Sequence, residues 1–557
     1  MVRRGSGVGT GARLALTLTL VVPLAIYGAW ALRFLHAGVG YEMDEALYVE
    51  SAVHLLRGGE TPPPFVHDSA SWVRVAGRPW PLMIIPYVGA TKAYVALPLF
   101  AVFGVGPEVA RLTGVALAGL GLVGLSTLIA ATAGLLPAFL TGMLLAIHPS
   151  YLDLTVFDNG GTAVWMGAMG LLALALTHHR RRGSVASAFL LGLAAGLAVW
   201  ARLNLLWLLA AAAVAAGIVF GRRILPRGRT LGALAAGGLL GSSPLLWYEI
   251  VSRLGTLAYM RSARQPLTPA LVGARLRGVA EVLVADREQR TIWGGPPVEP
   301  WQLLLGAALL LLLVLAPFLP GRSSGEGVAD RAAWRRWLAW TALLLLPILA
   351  ASRLNVTQHH LAAVLPLALA ALAIASVELA DRFRRVRALA PVLAIGAAGL
   401  SAVFIGWDMR IARGLRETGG LRAFSSALDD AARVLAARRI PPDRLKIVNW
   451  GFQNNLYVVT GGAVWGTELF WGATRGRTQQ GRSWDDEVRD GGAFLLFAFP
   501  MGPPWIGDGA FGFEDALARS GGPRTETVFR ERSGAPCVRL IEVRGRDAPP
   551  TRPSASP

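Results

Sequence analysis

Long apolar runs recur along this chain, and they decide what it can fold into. Runs near the twenty or so residues that carry a helix across a bilayer core lie near 14–35, 82–103, 112–131, 135–149, 160–177, 185–201, 203–220, 230–249, 301–319, 334–351, 360–380 and 388–406. Only 16% of the 557 residues are charged, too few to solvate the surface of a soluble protein this size. The expected fold class is therefore an α-helical polytopic membrane protein.

The net charge of +19 does not point to nucleic acid. Lysine occurs only at Lys92 and Lys446, and the arginines gather in short runs between apolar segments. These runs are Arg3, Arg4 and Arg13; Arg180 to Arg182; Arg222, Arg223, Arg227 and Arg229; Arg322, Arg331, Arg335 and Arg336; and Arg382, Arg384, Arg385 and Arg387. Cytoplasmic loops of membrane proteins carry such an excess. It places the N-terminus inside, as an uncleaved signal-anchor helix, and puts the loop 36–81, the loop 250–300 and everything after about 410 outside. The lone Cys537 excludes an internal disulfide and any multi-cysteine metal site.

After Trp407 the long apolar runs stop. A helix over 421–439, strands at KIVNW, AFLLFAF and CVRLIEV, and a short helix from Phe513 to Ser520 predict a small α/β domain over 411–545. A disordered tail is expected over 546–557. The helical domain then covers 1–410, with 11–13 helices. Counting crossings exposes one conflict. Asp44 and the loop before 160 both face outward only if an even number of crossings separates them, yet three apolar segments intervene. One should not span: either the short 135–149 or 82–103, which contains Pro86, Lys92 and Pro98.

The residues able to carry chemistry sit in the outward loops. In GYEMDEALYVESAVHLLRGGE, Asp44 and Glu45 lead a stretch in which Ala46, Val49, Val53 and Leu56 recur at helical spacing. This predicts an amphipathic helix lying along the bilayer. Asp44 either caps that helix or serves as a base whose pKa is raised at a partly dehydrated interface. A second acidic position, Asp158 with Asp153 as competitor, follows the fourth apolar run in HPSYLDLTVFDNGGTAVW. Two carboxylates together could hold a divalent cation.

One transmembrane helix followed by D-E-A-x-Y on a juxtamembrane helix resembles the GT-C superfamily of membrane glycosyltransferases, in particular its protein O-mannosyltransferase and aminoarabinose-transferase-like branch. The resemblance spans residues 10–410. It implies a GT-C-like fold and an inverting glycosyltransferase that moves a sugar from a polyprenyl-phosphate donor to a protein, lipid or glycan acceptor on the outer face. It also implies Asp44 as the base, Glu45 orienting Asp44 or the acceptor, Tyr48 beside them, and Asp158 across the cavity, with a divalent metal held by Asp44 and Asp158. Arg78, Arg202, His359 and His360 would contact the donor phosphate or the acceptor, and the loop around Trp293 would cover the lipid. The chain departs from the branch at Gly77-Arg78-Pro79, where an acidic residue often precedes the basic-Pro pair, and this puts the metal in question. A transporter or lipid flippase, a glycan ligase, and a non-catalytic assembly or sensing protein are the alternatives.

Overall fold

The computed structural model describes residues 10–63, 65, 68–221, 228–285, 289–319, 326–382, 389–471, 473–499 and 509–545. The expected tail at 546–557 and Arg3, Arg4, Arg222, Arg223, Arg227, Arg322, Arg384, Arg385 and Arg387 lie outside these residues.

Helix α1 (Thr10–Leu35) is followed by two short helices, α2 (Met43–Leu47) and α3 (Glu50–Leu56). Two hairpins come next, β1 (Trp72–Val75) with β2 (Arg78–Pro81) and β3 (Met83–Ile85) with β4 (Val88–Gly89), and they lead into α4 (Thr91–Phe103). Then come α5 (Pro107–Thr132), α6 (Leu135–Ala146), α7 (Pro149–Val156), α8 (Thr162–Arg182), α9 (Val185–Ala201), α10 (Leu205–Phe220) and α11 (Arg229–Val251). The loop expected at 250–300 is largely helical, as α12 (Gly255–Ser262), α13 (Pro269–Val282) and α14 (Gln289–Ile292). Helices α15 (Pro300–Leu315), α16 (Glu326–Ala350), α17 (Gln358–Leu361), α18 (Leu365–Arg382) and α19 (Leu389–Thr418) complete the domain.

Each of the twelve apolar stretches contains a helix. Among the described residues, six helices are long and apolar enough to cross a membrane, and α6 with α7, bent by 60°, forms a seventh candidate. The chain is thus a multi-pass membrane protein. Helix α1 belongs to its core: the Tyr27 hydroxyl lies 2.8 Å from Thr155 Oγ1 on α7, and Tyr27, Ala31 and Phe34 are fully buried.

The crossing conflict bears on α4, which is only about 20 Å long and shorter than the helices able to cross a membrane. Near its start Lys92 pairs with Asp158, and Arg111, in the first turns of α5, pairs with Glu45. Its Ala93, Ala96 and Phe100 pack with Val49 and Val53 near and on α3.

Close backbone contact locks α9 to α11. A Cβ added at Gly192 or Gly196, or at Gly237 or Gly241, would run into the partner helix backbone, the small-residue packing that lets helices approach inside a bilayer. Gly196→Val is expected to destabilise the fold by about 1–3 kcal/mol or more, as overpacking against a rigid backbone does. The check is thermal unfolding in detergent micelles. An unchanged Tm would show that the helices can move apart at no cost.

Helix α19 runs to Thr418, past the domain boundary placed at 410, and the break falls at Gly419 and Gly420, both with positive φ. Beyond it lie α20 (Ala427–Arg438), β5 (Leu445–Ile447), α21 (Gln453–Val459), β6 (Thr467–Glu468), α22 (Trp484–Asp490), β7 (Gly492–Phe497), α23 (Gly509–Ser520), β8 (Arg524–Arg530) and β9 (Pro536–Val543). The sheet has the order β6-β5-β7-β9-β8, with β5 parallel to β6 and β7, and β9 antiparallel to β7 and β8. Side chains alternate across it. Leu495, Phe497, Val538 and Leu540 pack on α20, while Phe494, Leu496, Ile541 and Val543 cluster with Trp484 of α22 and Phe513 and Leu517 of α23.

Candidate active site

The backbone leaves α1 and turns into α2 with Glu42 as the N-cap, its carboxylate accepting the Asp44 N–H at 2.6 Å. Glu45 closes the capping box by accepting the Glu42 N–H at 3.4 Å. Asp44 therefore does not cap this helix. Its carboxylate is half-buried and makes no hydrogen bond or ion pair among the described residues. Burial pushes its pKa from 3.8 up to about 6, and the Arg202 guanidinium pulls against that rise.

Glu45 is bound in an ion pair. Both of its oxygens are held by Arg111, with Nε to Oε2 at 2.7 Å and Nη2 to Oε1 at 2.8 Å. Arg111 also donates to the Val39 and Gly40 carbonyls at 2.9 and 2.8 Å. This fully buried fork pins the turn between α1 and α2 to the start of α5. Both Glu45 oxygens are thus engaged, and Glu45 fixes the helix that carries Asp44.

Asp158 lies in the turn between α7 and α8. It adopts φ 42, and Gly160 and Gly161 follow at φ 64 and 68. Such a run of left-handed residues reverses the chain tightly between α7 and α8. A Cβ at Gly160 would strike the His359 ring, and one at Gly161 would come within 3.1 Å of the Tyr48 ring and 3.4 Å of Arg202 Nη1. The glycines therefore let Tyr48, Arg202 and His359 close around the turn. Asp158 Oδ1 accepts the Ala163 N–H at 2.6 Å, capping α8, and Oδ2 lies 2.6 Å from Lys92 Nζ. Lys92 Nζ in turn sits 5.9 Å from the centre of the Tyr48 ring.

The β3–β4 hairpin delivers Lys92. The Trp200 indole N–H donates to the Leu82 carbonyl at 2.8 Å, and Val88 bridges to the backbone of Arg202. These contacts tie the segment before α4 to the end of α9, where Arg202 is 1% exposed. His359 and His360 stack with ring centres 4.2 Å apart, and the Thr357 hydroxyl lies 2.9 Å from His359 Nε2 and 3.0 Å from His360 Nδ1. They line a cavity of about 290 Å³ together with Tyr87, Asn204, Trp207 and Tyr259. The structure thus gathers Asp44, Tyr48, Asp158, Arg202, His359 and His360. Arg78 is not among them: it is exposed at the end of the β1–β2 hairpin, opposite Val75. Trp293 packs against Gly414 of α19 instead of covering the cavity.

Sequence reasoning missed the roles of Glu42, Lys92 and Arg111. Lys92 did carry a signal, as a lone ammonium inside an apolar run, which must find a buried partner. Arg111 carried none, because an arginine at the head of an apolar helix reads as one that snorkels to the headgroups.

No family model and no curated protein matches the sequence. Solved structures do match. The crystal structure of ArnT from Cupriavidus metallidurans bound to undecaprenyl phosphate superposes with a TM-score of 0.57 at 13% identity, covering 96% of this chain and 98% of that one. The apo structure of the same ArnT gives 0.58 at 15% identity, covering 95% and 98%. The chain has the fold of ArnT. The likeness to ArnT covers the helical domain expected to carry the D-E-A-x-Y loop and extends through the C-terminal domain.

In this ArnT-like fold the C-terminal domain is fastened to the helices that carry the acidic residues. The Tyr41 N–H donates to Asp429 Oδ1 at 3.1 Å, the Asn455 side chain donates to the Tyr41 carbonyl at 3.1 Å, and Asn454 donates to the buried Glu50. Burial raises the Glu50 pKa from 4.5 to about 8, against the Asn454 hydrogen bond. A raised carboxyl pKa favours the folded state most at low pH, and that contribution is lost as pH rises through about 8. The Tm of the wild type is expected to fall between about pH 5 and about pH 8 and to level off above that, and Glu50→Gln, which fixes the neutral form, to flatten that fall. Equal slopes in the two proteins would remove Glu50 as the cause.

Proposed function

We propose that this chain is an integral-membrane, inverting glycosyltransferase that takes a sugar from a polyprenyl-phosphate donor on the outer side of the membrane. The observation that carries the reading is the Asp44 carboxylate, which is left unpaired while Glu42 caps the helix and Glu45 holds Arg111. A base with a pKa of about 6 is ionised at neutral pH and still basic enough to accept a proton in the transition state.

In this mechanism Asp44 takes the proton from the acceptor nucleophile as that atom bonds to the anomeric carbon. The bond from that carbon to the phosphate oxygen breaks on the opposite face, and polyprenyl phosphate leaves with the bonding electrons. Arg202, beside Asp44, is suited to neutralise the leaving phosphate. The cavity lined by Tyr87, Trp207, His359 and His360 is the proposed donor pocket, and the turn of Asp158, Gly160 and Gly161 joins its His359 to Tyr48 and Arg202. The fold shared with ArnT, crystallised with undecaprenyl phosphate, supports the lipid-phosphate class of donor. The arginine clusters support a cytoplasmic N-terminus, which puts the site and the outer domain outside the cytoplasm.

The test is turnover of a panel of polyprenyl-phosphate sugars by the full chain in lipid nanodiscs, with a membrane extract as acceptor source. Release of polyprenyl phosphate from one donor is the expected result. Donors left intact across the panel, with lipid exchange between leaflets observed instead, would replace this reading with the flippase.

A further inference from the structure

We infer that Lys92 stands in the place of a divalent cation, so that this site works without metal. The inference rests on the glycosyltransferase reading for its catalytic part, while its binding part does not depend on it. A metal shared by Asp44 and Asp158 would need lone pairs on both carboxylates. On Asp158 each oxygen already spends a lone pair, Oδ1 on the Ala163 N–H and Oδ2 on the Lys92 ammonium, each at 2.6 Å. A dication on that carboxylate would sit against a fixed positive charge.

The balance of charge agrees. Lys92 and Arg202, 2% and 1% exposed, set two positive charges beside the carboxylates of Asp44 and Asp158, and Arg111 matches Glu45, so the cluster already holds cations of its own. A dication placed among them would meet their repulsion in a site of low dielectric. The donor set is also poor. Among the described residues no three His, Cys, Asp or Glu side chains converge in a way that would hold a metal ion. The nearby His359 and His360 are engaged with Thr357.

Lys92 is thus a positioning residue. It holds Asp158 against the start of α8 and keeps a positive charge beside Tyr48, where a cation bridging the acidic pair would otherwise lie. Lysine suits this task because its ammonium is a compact point charge. The pairing is made possible by the β3–β4 hairpin, which is tied to the end of α9 and brings the second residue of α4 into the cluster.

The first measurement is Mn²⁺ titration of the purified wild type, followed by the electron paramagnetic resonance signal of the free ion. No stoichiometric uptake is expected. Uptake of one ion per chain that is lost in Asp158→Asn would overturn the inference, whatever the outcome with sugar donors. The second is donor turnover after exhaustive EDTA treatment, expected to stay within about twofold of the untreated rate; a loss restored by Mn²⁺ would also overturn it. Lys92→Met is expected to lose at least about 100-fold in turnover, and Lys92→Arg, which keeps the charge, to stay within about tenfold of wild type. Wild-type turnover in Lys92→Met would show that the ammonium is dispensable. Should Lys92→Met fail to fold, the two wild-type measurements decide the matter alone. If no donor is consumed by any variant, the glycosyltransferase reading fails, and the Mn²⁺ titration still tests the cation-like role of Lys92.

Discussion

Asp44→Asn is expected to lower donor turnover by about 10²–10⁴-fold, the range removed with a general base, while leaving the folded protein intact. The side chain keeps its shape, no hydrogen bond or ion pair of Asp44 is lost, and the cap of α2 belongs to Glu42. The wild-type rate should climb as pH rises through about 6, because the base works only when ionised. The same shift acts oppositely on stability. A carboxyl raised from 3.8 to about 6 favours the folded state below its ordinary pKa, and that contribution is lost as pH rises through 6. Rate and Tm should therefore move in opposite directions over that window. A rate that does not change from about pH 5 to about pH 8 would exclude Asp44 as the base.

Arg111→Met is expected to destabilise the protein by about 3–5 kcal/mol, the usual cost of removing one partner of a buried ion pair. It would leave Glu45 fully buried without its bidentate partner and the Val39 and Gly40 carbonyls without their donors. Glu45→Gln should be milder in folding and far milder in turnover than Asp44→Asn, since neither oxygen faces the cavity. The readouts are the midpoint of thermal unfolding and the turnover of whatever remains folded. A stable Arg111→Met protein with wild-type turnover would show that the turn before α2 needs no pin. A Glu45→Gln loss as deep as that of Asp44→Asn would restore Glu45 to the chemistry.

The fold was largely legible because a bilayer imposes a length and a hydropathy on every crossing, and the outer domain showed through strands whose side chains are buried on both faces, such as AFLLFAF. What escaped has physical reasons. Strand β8, RTETVFR, is a sheet edge with Arg524, Thr525 and Glu526 exposed, so its composition reads as a loop. Helix α4 is as apolar as a crossing, and the partners of Lys92 and Arg111 lie more than sixty residues away along the chain. Within the site, the spacing in D-E-A-x-Y located the acidic pair but could not divide its labour. Which of Glu42, Asp44 and Glu45 is free depends on a capping box and a distant arginine, and neither is a local property of the sequence.

The fastening of α2 and α3 to the outer domain bears on what the smallest working form of this molecule can be. Tyr41, Val49 and Val53 are fully buried together with Tyr457 and Val458 of α21, and Glu50 rests on Asn454. Cutting the chain after α19 would strip that cover, leaving an oily patch and a stranded carboxyl beside the very turn that presents Asp44. The membrane half is therefore no free-standing catalytic core: engineering by truncation or by exchange of the outer half would have to rebuild this seam before any chemistry could be asked of it.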